Sequence, residues 1–295
     1  MKTLIIYHDA DFDGLLSHEV CKFFLKDLHE VTSFGWDYGK PVPTFAGYDQ
    51  VFMVDISIDS LMTMPNLIWI DHHKTAIQKY PPTLPGYRID GVAACRLAWQ
   101  WFANAKAAGL PILEEYLSRK VSEPMLLTLA GEHDIWDHHD ERTLPLQDGL
   151  RQLDTYEWDD LVKSQFTDGE KAEWRLNEAI SIGRRALKAR QKANESIMRK
   201  RAHDIQWHGY RWLCCNGVSS SQAFASIVNE SHEGLLAWVY DGQTKKATVS
   251  LYHAPAYRHL DLSIIAKEFG GGGHAGACGF QISLEDLVCI LDPYE

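Results

Sequence analysis

The triplet Asp71-His72-His73 places a carboxylate and two imidazoles side by side. Such side chains bind metal ions or move protons. The triplet directly follows an apolar run, residues 67–70, which predicts a short buried strand. Ligands of open α/β sheets bind beyond the carboxyl ends of their strands. A strand-end turn with one hydrogen-bonded Asp explains the triplet equally well, so the other acidic clusters must decide between the two interpretations.

A denser cluster lies near the N-terminus. His8, Asp9, Asp11 and Asp13 fall within six residues, directly after the apolar run 4–7. Neighbouring carboxylates repel one another, and a divalent cation would remove that cost. An acidic helix N-terminus accounts for one of these carboxylates but not for all of them. Gly14 is expected to allow a sharp entry into a helix with a buried face formed by Leu16, Val20, Phe23 and Phe24.

Two further acidic sites also follow apolar segments. Asp55 comes directly after the run 51–54, and Asp134 follows a helical run, 125–130, that Gly131 is expected to cap. Four such sites predict one shared cleft at the carboxyl ends of the strands. Two metals bridged by a common carboxylate fit this set of carboxylates and imidazoles best. Mixed carboxylate and imidazole ligands suit manganese, iron, cobalt or zinc better than calcium.

The chain also contains a second D-H-H triplet, Asp137-His138-His139. No apolar strand precedes this triplet, and charged residues surround it. It is predicted to be a polar loop near the cleft rather than a set of metal ligands.

Taken in order, these motifs resemble those of the DHH phosphoesterase family. Residues 270–280, Gly-Gly-Gly-Gly-His-Ala-Gly-Ala-Cys-Gly-Phe, are similar to the glycine-rich signature of the DHH-associated C-terminal domain. The resemblance spans nearly the whole chain and implies an α/β enzyme. Its N-terminal, mostly parallel sheet is flanked by helices, and a helical linker joins it to a smaller α/β C-terminal domain. The expected boundaries are 1–170 for the catalytic domain, 171–205 for the connecting helix and 206–295 for the substrate-binding domain.

The resemblance also implies roles for individual residues. It implies two divalent ions, usually manganese, with Asp55 as their bridging ligand. His73 is expected to face the phosphate, and Asp71 to orient the histidines. Either His8 or Asp9 is the first metal ligand, and we prefer His8. The expected ligands are His8, Asp11 and Asp55 for one ion, and Asp13, Asp55, His72 and Asp134 for the other.

The four consecutive glycines predict a close approach of backbone to ligand, because ordering them costs backbone entropy. Successive N–H groups there form an anion-binding nest, and the following histidine adds a side-chain donor. No Lys-Ser or Lys-Thr follows them, which excludes a nucleotide P-loop. Arg258 suits a phosphate, although an exposed salt bridge is an equal alternative. The expected substrate-binding residues are Gly271, Gly272, Gly273, His274 and Arg258.

The predicted activity is two-metal hydrolysis of a phosphodiester. The resemblance points to a nano-RNase-like exonuclease or a phosphodiesterase for linear or cyclic dinucleotides. The substrate would be short and single-stranded, because a net charge of −11 argues against non-specific binding of long duplex DNA. The alternatives are a pyrophosphatase or polyphosphatase, a non-catalytic nucleotide-binding sensor, and an RNA-binding role like that of alanyl-tRNA synthetase tails. Homodimerisation is left open.

Cellular location is predicted from three further features. The six cysteines include no C-x-x-C pair, which favours reduced, buried thiols. Too few apolar residues precede His8 for a signal peptide, and no run is long enough to span a membrane. A cytoplasmic enzyme without a membrane partner is therefore expected.

Overall fold

The computed structural model describes residues 1–42, 45–103, 122–167 and 169–292. The chain forms two compact units, Met1–Leu187 and Lys188–Glu295. Both units are α/β, and no helix of the described residues is long and apolar enough to cross a membrane. Cys289 is exposed, whereas the other five cysteines are buried as predicted.

The first unit is built on a four-stranded parallel sheet. Its strands are β1 (Lys2–His8), β2 (Glu30–Trp36), β3 (Gln50–Val54) and β4 (Leu67–Ile70). They lie in the order β2-β1-β3-β4. Strands β1, β3 and β4 match the three apolar runs of the sequence. Strand β2 was not predicted, because its sequence contains no apolar run.

Helices cover both faces of this sheet, as is usual for parallel sheets. The described residues of the unit include α1 (Phe12–Leu25), α2 (Lys74–Lys79), α3 (Ala94–Ala103), α4 (Met125–Asp134), α5 (Thr143–Leu150), α6 (Thr155–Thr167) and the start of a long helix described below. Ile5 packs on one face, in a core that includes α1, α3 and α4, and its neighbours Leu4 and Ile6 pack on the other. This alternation follows from the two-residue period of a strand.

Strand register brings the acidic strand ends together. Val54 pairs with Tyr7 on one side and with Ile70 on the other. The residue that follows each of these three is His8, Asp55 or Asp71, so all three leave the sheet at one level. This register brings the three residues to the edge of the sheet at which the sequence predicts a shared site.

Helix α1 differs from prediction in two details. It begins at Phe12, so Gly14 lies inside its first turn, and the Gly14 N–H donates to Oδ1 of Asp11 at 2.9 Å. Asp11 is therefore the N-cap residue, a role that carboxylates fill well. Leu16 and Val20 are buried as predicted, but Phe23 and Phe24 are only partly buried.

Helix α4 does not stop at Gly131, and the predicted cap is wrong. The helix continues to Asp134. A Cβ on Gly131 would lie 2.7 Å from Cδ of Arg96 and 3.0 Å from Cβ of Ala93, so the glycine permits close packing against α3 and its N-terminal approach. The consequence is that Asp134 is held in a helical turn rather than in a loop.

Helix α7 (Gly169–Arg201) matches the charged stretch predicted to be helical. Leu176, Ala179 and Ile180 belong to the core of the first unit, and Met198 belongs to a core of the second. The division between the two units falls inside this helix, after Leu187.

The second unit contains a six-stranded mixed sheet. The strands are β5 (His203–Trp207), β6 (Tyr210–Asn216), β7 (Gly234–Asp241), β8 (Lys246–His253), β9 (Gly272–His274) and β10 (Ala277–Ile282). They lie in the order β5-β6-β7-β8-β10-β9. Helices α8 (Ser263–Glu268) and α9 (Leu284–Leu291) accompany the sheet.

A short 3₁₀ segment, Ser221–Ser226, lies between β6 and β7. Beyond it, Oδ1 of Asn229 accepts bonds from the N–H and the hydroxyl of Ser231. Such local side-chain bonds compete with helical ones and end the turn.

Candidate metal centre

Asp55 lies at the centre of the acidic site. The residue is 1% exposed, and its φ of 58° turns the chain sharply at the end of β3. Neither carboxylate oxygen accepts a hydrogen bond within the described residues. A buried carboxylate without hydrogen bonds is costly unless a positive charge lies beside it.

One ligand group forms around His8. Its Nδ1 lies 2.8 Å from Oδ2 of Asp11 and 3.5 Å from Oδ2 of Asp55. No donor or acceptor of the described residues forms a well-angled hydrogen bond with this nitrogen. Asp11 first, and Asp55 after it, raises the pKa of His8 to about 11. Without a metal, a proton on His8 must therefore balance these carboxylates.

A second ligand group forms around His72. Its Nε2 lies 3.1 Å from Oδ2 of Asp134, 3.3 Å from Oδ1 of Asp55 and 3.6 Å from Oδ2 of Asp13. Burial lowers the pKa of His72, but the surrounding carboxylates outweigh it and raise the pKa to about 10. Burial also raises the pKa of Asp134 to about 6, and that of Asp13 well above its usual value.

Asp13 is held in place by the start of α3. Its Oδ2 accepts from the N–H of Ala94 at 2.7 Å, and its Oδ1 accepts from the N–H of Cys95 at 2.8 Å. Two backbone donors at a helix N-terminus favour the charged carboxylate. They also fix its orientation, which a metal ligand needs.

Asp71 lies beneath the site as an orienting group. It is fully buried, and its Oδ1 accepts from the backbone N–H groups of His72 and His73. The same oxygen lies 2.7 Å from Nδ1 of His73, while Oδ2 accepts from Nε1 of Trp69 at 3.1 Å. Burial raises the pKa of Asp71, but its bonds to His73 lower it below the usual value. The carboxylate is therefore charged, so Nδ1 of His73 carries the proton.

These side chains fit divalent cations. Three groups have donor atoms that lie within 4.8 Å of one another: His8, Asp11 and Asp55; Asp13, His72 and Asp134; and Asp55, His72 and His73. Asp55 and His72 each belong to two groups, as expected where neighbouring ions share ligands. Asp55 also carries two buried oxygens without hydrogen bonds among the described residues, which metal binding would satisfy.

His8 belongs to one of these three groups, whereas its neighbour Asp9 does not. The carboxylate of Asp9 accepts two bonds from Nζ of Lys40, at 2.7 and 2.8 Å. Sequence reasoning missed Asp37, whose Oδ1 lies 3.4 Å from Nε2 of His8. Asp37 directly follows β2, just as Asp55 follows β3, so recognition of β2 would have revealed it.

A cleft of about 340 Å³ opens beside the ligand groups. It is lined by three of the predicted ligands, Asp11, Asp13 and Asp134. His133, which also lines the cleft, belongs to the predicted acidic site that contains Asp134. Sequence reasoning did not single out the lining residues Trp136, Gln147 and Arg151.

The second D-H-H triplet lies in a loop after α4, as predicted. Nε2 of His139 forms an exposed ion pair with Oδ1 of Asp137 at 3.0 Å. Neither residue belongs to a ligand group among the described residues.

The remaining predicted residues lie in the second unit. The glycine tract begins after α8 and enters β9, an edge strand that pairs with β10. A Cβ on Gly271 would lie 2.1 Å from the carbonyl oxygen of Gly279, so this glycine allows a close backbone approach. His274 ends β9 and is exposed. Arg258 is exposed between β8 and α8, and it forms no ion pair within the described part of the chain.

Comparison with known proteins gives one sequence relative and several similar folds. No protein-family model matches the chain. It is 22% identical over 320 residues to the uncharacterized protein R106 of Acanthamoeba polyphaga mimivirus, covering 95% of this chain and 67% of R106. The pGpG-specific phosphodiesterase PggH from Vibrio cholerae has a TM-score of 0.51 at 13% identity, covering 97% of this chain and 95% of PggH. RecJ from Thermus thermophilus, solved with Mn²⁺, has a TM-score of 0.49 at 16% identity, covering 97% of this chain and 50% of RecJ.

At 13% identity, the likeness to PggH is one of fold. The predicted fold class is confirmed: the chain has a parallel sheet flanked by helices in its first unit and a second, mixed sheet in its other unit, and its fold is similar to that of PggH.

Proposed function

We propose that this protein is a metal-dependent phosphodiesterase that hydrolyses short oligonucleotides or dinucleotides, linear or cyclic. The observation that carries the proposal is the position of Asp55. This buried carboxylate has no hydrogen bonds within the described residues, and it belongs to two groups of metal-ligating side chains. A shared carboxylate between two such groups is the arrangement of a two-metal hydrolase.

The group around His8 and the group around His72 would each hold one ion. His8, Asp11 and Asp55 would hold the first, and Asp13, Asp55, His72 and Asp134 the second. We propose manganese, since the donor set combines imidazole with carboxylate. The ions, when bound, supply an activated water and polarise the phosphate oxygens.

The protein positions one further group for catalysis. The charged carboxylate of Asp71 accepts a hydrogen bond from the protonated Nδ1 of His73 at 2.7 Å. This bond fixes the tautomer and the orientation of the His73 ring. Nε2 of His73 is then the nitrogen offered to the substrate, either to a non-bridging phosphate oxygen or to the leaving group. Asp71 acts through His73, as a positioning residue.

We propose that the second unit binds a phosphate of the substrate through the predicted residues of its glycine tract and Arg258. The N–H of Gly271 already donates to the carbonyl of Ala266 at 2.9 Å, so this part of the predicted anion-binding nest is occupied. The groups left for the phosphate are Gly272, Gly273, His274 and Arg258. PggH, which has a similar fold, is specific for pGpG.

The activity test uses the intact protein with Mn²⁺. Its substrates are a 5′-labelled series from di- to pentaribonucleotide, cyclic dinucleotides and pyrophosphate. We expect turnover of the shortest nucleotides, and a loss of more than about 100-fold in Asp55→Asn, because both ligand groups lose their shared carboxylate.

Asp137→Asn is the matched control, since it removes an exposed carboxylate from the second D-H-H triplet and should leave turnover unchanged. Isothermal titration with Mn²⁺ measures the number of bound ions independently of turnover. Full activity in Asp55→Asn would refute the bridging role, and turnover of pyrophosphate alone would assign the protein to the pyrophosphatases.

A further inference from the structure

The side chain of Trp136 is exposed on the wall of the cleft that contains the ligand groups. The residue is 50% exposed. Asp11, Asp13 and Asp134 line the same cleft, so an indole and the metal-binding carboxylates face one space of about 340 Å³. An exposed tryptophan at such a position can contact whatever the metals bind.

The backbone of Trp136 is unusual for so large a residue. Its φ is 58°, in the left-handed region that favours glycine. Its N–H donates to the carbonyl of His133 at 3.1 Å, and the N–H of Asp137 donates to that of Glu132 at 2.8 Å. These two bonds form a Schellman motif, in which the position of Trp136 is usually glycine.

Half of the Trp136 residue is exposed, although its left-handed backbone has a cost that glycine would avoid. The ring is nevertheless held by neighbours: its centroid lies 6.1 Å from that of His133 and 5.5 Å from that of His138. The result is an ordered aromatic surface at the rim of the cleft.

The cleft also offers a cation. Arg151 lines it, and its guanidinium lies 5.9 Å from the centroid of Phe12, another lining residue. Its bonds to the carbonyl of Gln147 and to Oδ1 of Asp148 are long, 3.3 and 3.4 Å. A guanidinium beside an aromatic surface suits a ligand that combines a phosphate with a base.

We infer that Trp136 is a base-stacking platform, on which the nucleobase next to the scissile phosphate lies while the ligand groups hold that phosphate. This inference rests on the proposed function and makes it more specific. The inference concerns the nucleobase, which a nucleotide has and pyrophosphate lacks. Stacking reads the flat face that all bases share, so all four bases should be accepted to a similar degree.

The test compares Trp136→Gly with Trp136→Phe. Glycine relieves the left-handed backbone and thereby offsets packing that is lost with the ring, so Trp136→Gly should remain folded. It should also raise KM for a dinucleotide about 5- to 150-fold, the range expected from loss of one stacked base. Trp136→Phe keeps a ring and should lose less.

Two further comparisons separate stacking from a general defect. A dinucleotide with abasic sugars has no ring to stack, so its KM should be the same in wild type and Trp136→Gly. Trp174→Ala is the matched control, because Trp174 is 56% exposed on α7 and lines no part of this cleft. It should leave every substrate unaffected.

Binding is measured separately from turnover with a non-hydrolysable dinucleotide that carries 2-aminopurine. Stacking on Trp136 should quench its fluorescence, and Trp136→Gly should abolish the quenching. If the wild type cleaves dinucleotides while Trp136→Gly keeps both the KM and the quenching, the platform is refuted and the proposed function stands. If the wild type cleaves nothing, the fluorescence alone tests the platform. Quenching in the wild type that is lost in Trp136→Gly supports the platform, and no quenching in the wild type refutes it.

Discussion

The two D-H-H triplets of this chain have the same residues and opposite surroundings. Asp71 follows β4, a largely buried strand of the first unit, and is itself fully buried. Asp137 follows the end of a helix, and its side chain is 47% exposed. The difference lies in the element that precedes each triplet.

A buried strand end gives the first triplet its chemistry. The backbone N–H groups of His72 and His73 and the ring of His73 bond to Asp71, so the carboxylate is ordered and the His73 ring is oriented by it. In the second triplet, Asp137 pairs with the ring of His139, whose side chain is 85% exposed. An exposed ion pair is screened by water and imposes little order. The same three residue types therefore form part of the candidate metal centre in one place and a surface turn in the other.

The sharpest way to break this contrast is to remove a histidine from each triplet. His72→Gln takes away the nitrogen that lies within 3.6 Å of three carboxylates. We expect kcat/KM to fall by about 100-fold or more, since losses of about 10- to 100-fold already follow mutation of outer-shell partners. Isothermal titration should show one Mn²⁺ fewer than in the wild type.

His139→Gln is the counterpart in the second triplet and should change neither turnover nor metal binding. Equal losses in the two variants would show that the triplets are not distinguished by their burial. His138 is unsuitable as this control, because its ring contacts Trp136.

The strand-end part of the site could be predicted from sequence because its signals are local. Strands β1, β3 and β4 are apolar runs, and a ligand or an orienting carboxylate directly follows each of β3 and β4. Parallel pairing then brings these ends together without further information. The positions of Asp55 and Asp71 are predictable for this reason.

Features that depend on packing could not be predicted in this way. Strand β2 has little apolar character, so Asp37 beyond it was missed. Gly131 looks like a helix stop in sequence, but in the structure it allows two helical segments to pack closely. Trp136 was missed for the opposite reason, because it occupies a position where sequence reasoning expects glycine.

The second prediction removes the orienting carboxylate. In the described structure, the two oxygens of Asp71 accept from two backbone N–H groups, from Nδ1 of His73 and from Nε1 of Trp69. In Asp71→Asn, the amide NH₂ must face at least one of these donors. We expect a loss of kcat of about 10- to 100-fold, as for an outer-shell mutation, and about 1–3 kcal/mol less stability.

The measurements for Asp71→Asn are steady-state kinetics and urea unfolding. The matched change Asp137→Asn lies on an exposed loop and should alter stability by less than about 0.5 kcal/mol. If Asp71→Asn unfolds like the wild type, the carboxylate does not order the histidines.

The third prediction concerns the pH dependence of stability, which has opposite signs for His72 and His138. In the metal-stripped protein the pKa of His72 is about 10, against an ordinary 6.5, so the native state holds a proton that the unfolded state releases. The resulting stability is complete below pH 6.5 and is lost as pH rises toward 10. Burial lowers the pKa of His138, so this residue costs stability at acid pH, and the cost disappears as pH rises to 6.5.

Urea unfolding in a chelator, from about pH 5 to about pH 10, tests both signs. His72→Gln should make the fall in stability above about pH 6.5 less steep, and the raised pKa of His8 accounts for the fall that remains. His138→Gln should flatten only the acid side. The same slope change in both variants would contradict the opposite protonation of the two histidines.

The smallest expected effect is the coupling between Asp137 and His139. Their ion pair is exposed, so a double-mutant cycle should give less than about 1 kcal/mol, falling further in salt. The equivalent cycle on Asp71 and His73 should give about 1–3 kcal/mol, because one partner is fully buried and the contact is charge-assisted. Urea unfolding of the four proteins in each cycle, without metal, measures both energies. A coupling at the second triplet as large as at the first would mean that spacing, rather than the preceding strand, orders an Asp and the His two residues later.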